Sequence, residues 1–191
     1  MTQTSDVVVI GGGIIGLAVA YYLSREKLRV TVVERGAAGR EASWAAAGYL
    51  SFQGSSNTPG PRLELARTSC RMYHSWMGEL AELTPADTGF LRCGLLELCL
   101  DEAEAGEAKR RAAWQQAAGY AVEWLDPASL HKRHPHLAPD LPLHGGLLFP
   151  EVTQVRPPRL LRALTEAVLR LGGRIREHSP VTAITRRGDR V

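Results

Sequence analysis

The amino-terminal part of the chain carries the pattern that most restricts its fold. An apolar, β-branched run at residues 6–10 ends at a glycine-rich segment, residues 11–16. Residues 14–25 have helical character, and residues 29–33 form a second β-branched run. Strand, tight turn, helix and strand in this order form the βαβ unit of a doubly wound parallel sheet. The sequence therefore predicts an α/β fold with a Rossmann-like sheet.

The glycine-rich segment matches the pattern G-x-G-x-x-G. Gly11 permits a tight turn after the strand, Gly13 lets a pyrophosphate approach the backbone, and Gly16 lets the helix pack closely on the strand. A diphosphate would lie at the amino terminus of the helix, where free N–H groups and the helix dipole favour negative charge. Strand, loop and helix together predict a dinucleotide-binding site.

A carboxylate, Glu34, stands at the end of the second predicted strand. In that place it can accept hydrogen bonds from ribose hydroxyls, and it would repel a 2′-phosphate, which disfavours NADP. FAD and NAD use the same loop, so the motif does not separate them. The alternative is a glycine-rich turn in an unrelated α/β protein, with Glu34 an ordinary charge at the end of a strand. The surrounding strand and helix favour the dinucleotide site.

The next segment, residues 39–50, is dense in alanine, serine and glycine. Small side chains let a backbone pass close to a large planar ligand and present N–H groups to its phosphates. The start of a helix with ordinary alanine packing accounts for the same composition equally well. The residues alone leave both interpretations open.

A long helix is predicted over residues 61–83. Its expected buried positions are Leu63, Leu65, Ala66, Tyr73, Trp76 and Leu80. On the first helix, the alanines, the leucines and both Tyr21 and Tyr22 are expected to face inwards.

Further along, the character of the chain changes twice. Residues 87–155 combine short β-rich runs with an Ala/Glu/Arg-rich helix and predict part of an inserted α+β substrate or cap domain. A helix that begins at Pro157-Pro158 and strands at residues 174–177 and 181–185 again have the pattern of the amino-terminal α/β part. We therefore assign residues 1–86 and 156–191 to one discontinuous, incomplete dinucleotide-binding domain.

The last residues predict a β-hairpin. Arg186-Arg187-Gly188-Asp189 is a tight-turn sequence, and the second strand would begin at residues 190–191. Two residues cannot complete a hairpin. We therefore expect the chain to be the amino-terminal part of a longer polypeptide.

Composition excludes several other classes of protein. Apolar residues make up 45% of the 191 and charged residues 23%, as in folded globular proteins. The net charge of +3 is too small for electrostatic binding of nucleic acid. Cys70, Cys93 and Cys99 lack a CxxC pair, which argues against a disulfide framework or a zinc site and favours a reducing cytoplasm.

Two other segments are interpreted as ordinary structure. The apolar run at residues 7–20 has no Lys or Arg before it and is too short to span a bilayer, so we predict neither a signal peptide nor a membrane span. His131, His134 and His136 stand beside a proline and several cations, without carboxylate or cysteine partners at suitable spacing. We therefore predict a solvated loop and no metal site.

Three segments resemble the FAD-dependent amino-acid oxidase superfamily of the D-amino-acid oxidase type, and within it the glycine oxidases of thiamine biosynthesis. They are residues 7–23, residues 41–48 and residues 153–181. The first is shared by many flavoproteins, whereas the other two are more specific. The resemblance covers essentially the whole chain, and it implies FAD as the cofactor.

The resemblance also implies roles for individual residues. The residues lining the pyrophosphate would be Gly11, Gly13, Ile14, Ile15 and Gly16. Glu34 would hold the ribose, with Arg35 beside it, and the backbone of Val181 would contact the adenine. The residues in contact with the phosphates or the flavin would be Ala42, Ser43, Ala46, Ala47 and Gly48. Tyr49 would border the flavin and the substrate pocket. A methionine is common at that position in glycine oxidases, so Tyr49 is a departure that affects the expected pocket.

The implied reaction transfers a hydride from the α-carbon of glycine or another small amine to the flavin, and the imine hydrolyses to an oxo acid and ammonia. Oxygen then reoxidises the flavin and yields peroxide. This chemistry needs no side-chain acid or base, so we predict no catalytic residue. Members of the superfamily often form homotetramers, which implies a homo-oligomer. Two alternatives stay open: a non-catalytic FAD-binding fragment, and a related dehydrogenase that passes electrons to a quinone.

Overall fold

A computed structural model describes residues 4–53, 59–186 and 188, which form a mixed α/β structure. The elements are β1 (Val7–Ile10), α1 (Ile14–Arg25), β2 (Val30–Val33), α2 (Ala42–Ala45), β3 (Tyr49–Leu50), α3 (Pro61–Leu83), β4 (Leu91–Arg92), β5 (Leu95–Cys99), α4 (Glu102–Ala117), β6 (Glu123–Leu125), α5 (Pro127–Arg133), β7 (Gly145–Phe149), β8 (Thr153–Gln154), α6 (Pro157–Arg170) and β9 (Arg174–Arg176).

The described residues divide into two compact units. The first consists of Met1–Gly48, Met72–Phe90 and Val155–Val191, as far as these are described, and the second of Tyr49–Arg71 and Leu91–Gln154. Residues 49–71 thus group with the β-rich middle of the chain. The functional domain boundaries expected from the sequence, at residues 86 and 156, stay a prediction, as does the role of residues 87–155 as a cap.

The first unit contains the βαβ unit. Its sheet has the strand order β9-β2-β1, and both neighbouring pairs are parallel. Val7 pairs with Val30 and Ile10 with Val33, so the two strands end level with each other. The β-branched composition of these strands suits a parallel sheet, because its strands are normally covered on both faces. The prediction of strand, helix and strand from the sequence is confirmed.

Helices α1 and α6 pack together and form the core of this unit. Leu17, Ala20 and Tyr21 of α1 are fully buried, as are Leu164 and Val168 of α6. The helix α6 begins at Pro157, because proline suits the first turn, where its missing N–H would have no partner. The buried leucines and valines supply about 1.5–3 kcal/mol each when they leave water.

The second unit is built on antiparallel strands. In the sheet β5-β7-β6, Leu95 pairs with Phe149. The helix α4 places alanines against this sheet, and its first turn is capped by the side chain of Asp101, which accepts a hydrogen bond of 2.8 Å from the Glu104 N–H. A smaller sheet, β3-β8-β4, pairs Tyr49 with Gln154. The small alanine side chains of α4 allow this helix to approach the sheet β5-β7-β6 closely.

Some predicted positions differ from the structure. Leu63, Trp76 and Leu80 are buried as expected, whereas Leu65 is 73% exposed. Leu65 stands two residues after Leu63 and hence roughly 200° around the helix, on the opposite face. Tyr22 is also exposed, because it is one residue from the buried Tyr21 and lies at the edge of the packed face.

The expected strand at residues 181–185 is not formed. Residues 181–186 have no regular structure, and within the described part of the chain no strand pairs with them. A β-strand needs a partner for its backbone groups. The expected hairpin partner, together with Arg187 and Asp189, lies outside the described residues. None of the helices in the described ranges combines the length and the apolar character needed to cross a bilayer.

Candidate dinucleotide-binding site

The glycine loop connects β1 to α1 in the first unit. Gly11 has a φ of +105°, a value that residues with a side chain rarely adopt, and its N–H donates to the Val33 carbonyl at 2.8 Å. A Cβ at Gly16 would collide with the Gly11 carbonyl oxygen, because the first turn of α1 lies directly against the end of β1. The loop therefore has the geometry expected for the first and third glycines of the motif.

The carboxylate of Glu34 lies against this loop. Its Oε2 accepts a hydrogen bond from the Gly12 N–H at 2.7 Å, and its Oε1 accepts one from the Gly36 N–H at 2.9 Å. The residue is 9% exposed. The hydrogen bond from Gly36, followed by that from Gly12, lowers the pKa of Glu34 below its ordinary value. An ionised carboxylate with unused lone pairs is therefore held beside the glycine loop.

The two backbone hydrogen bonds of Glu34 predict a measurable pH dependence of stability. We expect Glu34→Gln to lower the free energy of unfolding by about 1–3 kcal/mol near neutral pH, since a buried N–H loses its acceptor. A lowered folded-state pKa stabilises the protein above the ordinary carboxyl pKa of about 4.3, and this stabilisation disappears as pH falls through the folded-state pKa. The difference between the two proteins should therefore shrink as the pH falls from neutral to below the ordinary carboxyl pKa of about 4.3.

Urea unfolding at several pH values tests this expectation. Glu26→Gln, at an exposed position, controls for the loss of one negative charge. A constant difference between wild type and Glu34→Gln across this pH range would contradict the assigned hydrogen bonds.

A side chain from residues 39–50, the small-residue segment, contacts the amino terminus of α1. The Ser43 hydroxyl accepts a hydrogen bond of 3.0 Å from the Ile14 N–H, and its oxygen lies 3.2 Å from the place of a Cβ on Gly13. A hydroxyl oxygen at this terminus occupies a position that also suits an anion. The structure thus brings Ser43 to the loop that the motif predicts for a pyrophosphate.

The alanines of the small-residue segment are mostly on the surface. Ala42, Ala45, Ala46 and Ala47 are exposed, and α2 is only four residues long. Burial of alanine in a core therefore does not explain the composition of this segment. Accessible small side chains are what close approach of a large ligand requires.

Both ends of the segment are attached to the rest of the first unit. At its start, the Gly39 N–H donates to the Gly12 carbonyl at 2.8 Å. At its end, Gly48 has a φ of +84°, and its carbonyl accepts a hydrogen bond of 2.8 Å from the Val155 N–H. A Cβ on Gly48 would collide with the Val155 carbonyl oxygen. These attachments hold Ser43 and its neighbours beside the glycine loop.

The chain also returns to Glu34 after β9. The Ser179 N–H donates to the Glu34 carbonyl at 2.8 Å, and the His178 N–H donates to the Gly36 carbonyl at 2.9 Å. Val181 follows two residues later and is 42% exposed. The two segments that bracket the predicted ribose and adenine positions are therefore neighbours.

The remaining predicted site residues are placed as follows. Ile15 is 75% exposed, and Arg35 forms an exposed ion pair of 2.6 Å with Glu41. Tyr49 is 53% exposed and belongs to the second unit, where it lies in β3. Their predicted contacts with a cofactor stay predictions.

Sequence reasoning missed some of the hydrogen bonds that support this site. The Glu177 carboxylate accepts a hydrogen bond of 2.7 Å from the Ala38 N–H, which links the end of β9 to the segment after β2. Gly12 stands at an unspecified position of the motif, although its N–H contacts Glu34. The Glu177 contact joins segments that are far apart in the sequence, and the motif gives no role to the second residue of the loop, so no spacing rule predicts either contact.

Other candidate groups do not form sites. Within residues 4–53, 59–186 and 188, no three His, Cys, Asp or Glu side chains come together as metal ligands. Burial raises the pKa of the Cys70 thiol, which disfavours the reactive thiolate. The absence of a metal site stays a prediction from the sequence.

Comparison with known proteins gives consistent matches. The model of the DAO family, described as FAD dependent oxidoreductase, matches residues 6–191. The chain is 34% identical to a glycine oxidase of Geobacillus kaustophilus over 95% of this chain and 48% of the relative. It is 38% identical to a bifunctional protein ThiO/ThiG of Synechocystis over 100% of this chain and 27% of that protein.

Solved structures agree with these relatives. The crystal structure of the Geobacillus kaustophilus glycine oxidase has a TM-score of 0.88 at 34% identity, covering 93% of this chain and 47% of that one. A glycine oxidase from Bacillus cereus has a TM-score of 0.89 at 29% identity, covering 97% and 49%. The chain therefore spans about half the length of the glycine oxidases it matches.

Proposed function

We propose that this chain, which belongs to the family of FAD-dependent oxidoreductases, forms the cofactor-binding part of an enzyme that oxidises glycine or another small amine. The family match over residues 6–191 is the premise. It confirms the prediction of FAD as the cofactor and the resemblance to the amino-acid oxidase superfamily. The single observation that supports this part of the proposal is the contact between the Glu34 carboxylate and the glycine loop at Gly12.

The residues of the first unit suit a bound FAD. The pyrophosphate would be held by the backbone of Gly11, Gly13, Ile14, Ile15 and Gly16 at the amino terminus of α1, where N–H groups and the helix dipole favour anions. Ser43 now accepts the hydrogen bond of the Ile14 N–H, so a phosphate oxygen would share or replace this contact. The segment with Ala42, Ala46, Ala47 and Gly48 would line the phosphates or the flavin.

The ribose and adenine would be recognised on the other side of the loop. Glu34 would accept hydrogen bonds from the ribose hydroxyls through the lone pairs that Gly12 and Gly36 leave unused, with Arg35 beside it. The backbone of Val181 would contact the adenine, since the preceding residues are bonded to Glu34 and Gly36. A negative charge beside the ribose disfavours a 2′-phosphate.

The proposed reaction places few demands on side chains of this chain. Bound FAD would supply a hydride acceptor, and glycine or another small amino acid would react with water and oxygen to give an oxo acid, ammonia and hydrogen peroxide. The residues named here bind and orient, and none is assigned as an acid or base. The names of the relatives support glycine as substrate. Tyr49, as a wall of the substrate pocket, is part of this proposal.

FAD binding by the purified chain tests the proposal directly. We expect FAD to bind with quenching of its fluorescence, and Gly13→Val to weaken binding at least about tenfold, since its side chain would occupy the approach of the pyrophosphate. Gly78→Val is the control, because a Cβ at Gly78 meets open space. Failure to bind FAD, or equal binding by both variants, would overturn the proposed site.

A second measurement separates the enzyme from its alternatives. We expect hydrogen peroxide when glycine is added to the FAD-loaded protein under air. FAD binding without peroxide would support the non-catalytic fragment. Reduction of a quinone dye by glycine without peroxide would support the dehydrogenase.

A further inference from the structure

Two residues other than glycine have a left-handed backbone conformation in the described part of the chain. They are Lys27, with a φ of +62°, and His178, with a φ of +51°. Residues with a side chain seldom adopt this conformation, because their Cβ then lies too close to the following carbonyl oxygen. Each case therefore needs a reason in the surrounding structure.

Lys27 has the ordinary reason, because it stands at the end of a helix. Its N–H donates to the Ser24 carbonyl at 3.0 Å. The next N–H, of Leu28, donates to the Leu23 carbonyl at 3.3 Å. This is the Schellman pattern, in which a left-handed residue lets the last turn of a helix satisfy its own carbonyl groups. The end of α1 thus accounts for the conformation of Lys27.

His178 stands two residues after β9 and not at the end of a helix. The Glu34 N–H donates to the Arg176 carbonyl at 2.8 Å, and the Glu34 carbonyl accepts a hydrogen bond of 2.8 Å from the Ser179 N–H. In a regular parallel pair, the two partners of one residue stand two positions apart on the neighbouring strand. Arg176 and Ser179 are three positions apart, so the chain contains one extra residue here, as in a β-bulge. The left-handed conformation of His178 accommodates the extra residue.

The extra residue lies beside the proposed ribose site. The His178 N–H donates to the Gly36 carbonyl at 2.9 Å, and the Gly36 N–H in turn donates to Glu34 Oε1 at 2.9 Å. Two consecutive amides, those of His178 and Ser179, therefore attach the chain to the residues around the Glu34 carboxylate. Val181 follows three residues after His178. The conformation at His178 thus sets where the chain that leads to Val181 leaves β2.

We infer that His178 is a positioning residue of the proposed FAD site: its left-handed backbone places residues 179–181 beside Glu34, where the adenosine part of FAD would bind. This inference rests on the proposed function and adds a residue that has no part in the glycine motif. The role belongs to the backbone conformation and not to the imidazole ring. Glycine, which adopts this conformation freely, should therefore replace His178, whereas a β-branched residue should not.

Binding of ADP and of FAD to the intact 191-residue chain tests this role. ADP contains adenine, ribose and diphosphate but no flavin, so it reports on the adenosine part of the site alone. We expect His178→Val to weaken the binding of both ligands at least about tenfold and by the same factor. His178→Gly should stay within about threefold of wild type for both ligands. Isothermal titration calorimetry measures these affinities.

Lys27→Val is the matched control. It introduces the same side chain at the same kind of backbone position, but at the end of α1 that is opposite the glycine loop. The helix has 12 residues and is therefore about 18 Å long. Lys27→Val and His178→Val should lower the urea midpoint of unfolding to a similar extent, whereas only His178→Val should lower the affinity for ADP. Equal ADP affinities of the two variants would mean that His178 has a structural role only, and would overturn the inference.

Other outcomes would also contradict the role of His178. Equal losses of ADP affinity in His178→Val and His178→Gly would assign the effect to the side chain instead of the backbone. A loss of FAD affinity without a loss of ADP affinity would place the effect outside the adenosine part. Failure of the wild-type chain to bind either ligand would overturn the proposed site itself.

Amide hydrogen exchange without any ligand separates these two failures. The Ser179 amide, which is bonded to the Glu34 carbonyl, should exchange at least about tenfold faster in His178→Val than in wild type. The same amide should exchange at the wild-type rate in His178→Gly and Lys27→Val. An unchanged rate in His178→Val would show that this backbone does not depend on residue 178, and would overturn the inference whether or not FAD binds.

Discussion

Gly16→Val is expected to lower the free energy of unfolding by about 3 kcal/mol or more, or to prevent folding. A Cβ at this position collides with the Gly11 carbonyl oxygen, which belongs to the backbone and cannot rotate away. Gly11 itself is bonded to Val33 at the end of β2, so the strand cannot yield without loss of that bond. The helix α1 would have to move off the sheet, and FAD binding should be lost with it.

Urea unfolding followed by circular dichroism measures this effect. Gly78→Val is the matched control, because Gly78 also lies inside a helix but a Cβ there meets no atom within 4 Å. Valine has a better helix propensity than glycine, so the control should be neutral or slightly more stable. A Gly16→Val protein within about 0.5 kcal/mol of wild type would show that α1 does not pack on β1 as closely as described.

Gly48→Ala is expected to have the second largest effect, a loss of about 3 kcal/mol. The added Cβ would meet the Val155 carbonyl oxygen and would lie 2.7 Å from Pro157 Cδ, while the backbone keeps a φ of +84°. Strain of the left-handed conformation contributes only about 1–2 kcal/mol of this loss, and the collision accounts for the rest. Because Gly48 ends the small-residue segment, FAD affinity should fall as well.

Gly172→Ala separates the two causes. Gly172 has nearly the same φ, +86°, but a Cβ there has no atom within 4 Å, so this variant should lose only about 1–2 kcal/mol and keep FAD binding. Equal losses for both variants in thermal and urea unfolding would mean that the contact between Gly48 and Val155 does not limit this position.

Much of the cofactor-binding region could be predicted because its signals are local. The helix α3 has the predicted bounds, residues 61–83, and α1 spans the predicted residues 14–25. The turn at Gly11 and the close packing at Gly16 follow from the three motif positions that require glycine within residues 11–16. Each of these features depends on the steric properties of neighbouring residues, which the sequence states directly.

The wrong predictions include one feature that needs a distant strand as partner and one that depends on which face of a helix is buried. The residues 181–185 have the composition of a strand, yet no described strand pairs with them. Leu65 has an apolar side chain but lies on the exposed face of α3. In both cases the residue type fits the predicted strand or buried position, but the position of the residue in the fold decided whether it paired or was buried.

The hydrogen bonds that support the site also depend on residues that are far apart in the sequence. The Ser43 hydroxyl reaches the Ile14 N–H, and the Glu177 carboxylate reaches the Ala38 N–H, across 29 and 139 residues of sequence. Neither side chain belongs to the glycine motif. Only the meeting of β2, β9 and the small-residue segment explains why these polar groups have partners.

The sequence alone determined the βαβ unit, the glycine turn and the acidic residue at the end of β2, because each follows from short-range sterics and hydrophobic pattern. Tertiary structure alone decided that the Glu34 carboxylate accepts a hydrogen bond from the Gly12 N–H, that the exposed alanine segment is attached to the loop, and that the Glu177 carboxylate accepts one from the Ala38 N–H. These depend on which distant backbone groups meet, and hydrogen bonds between segments far apart leave no periodic signal in the chain.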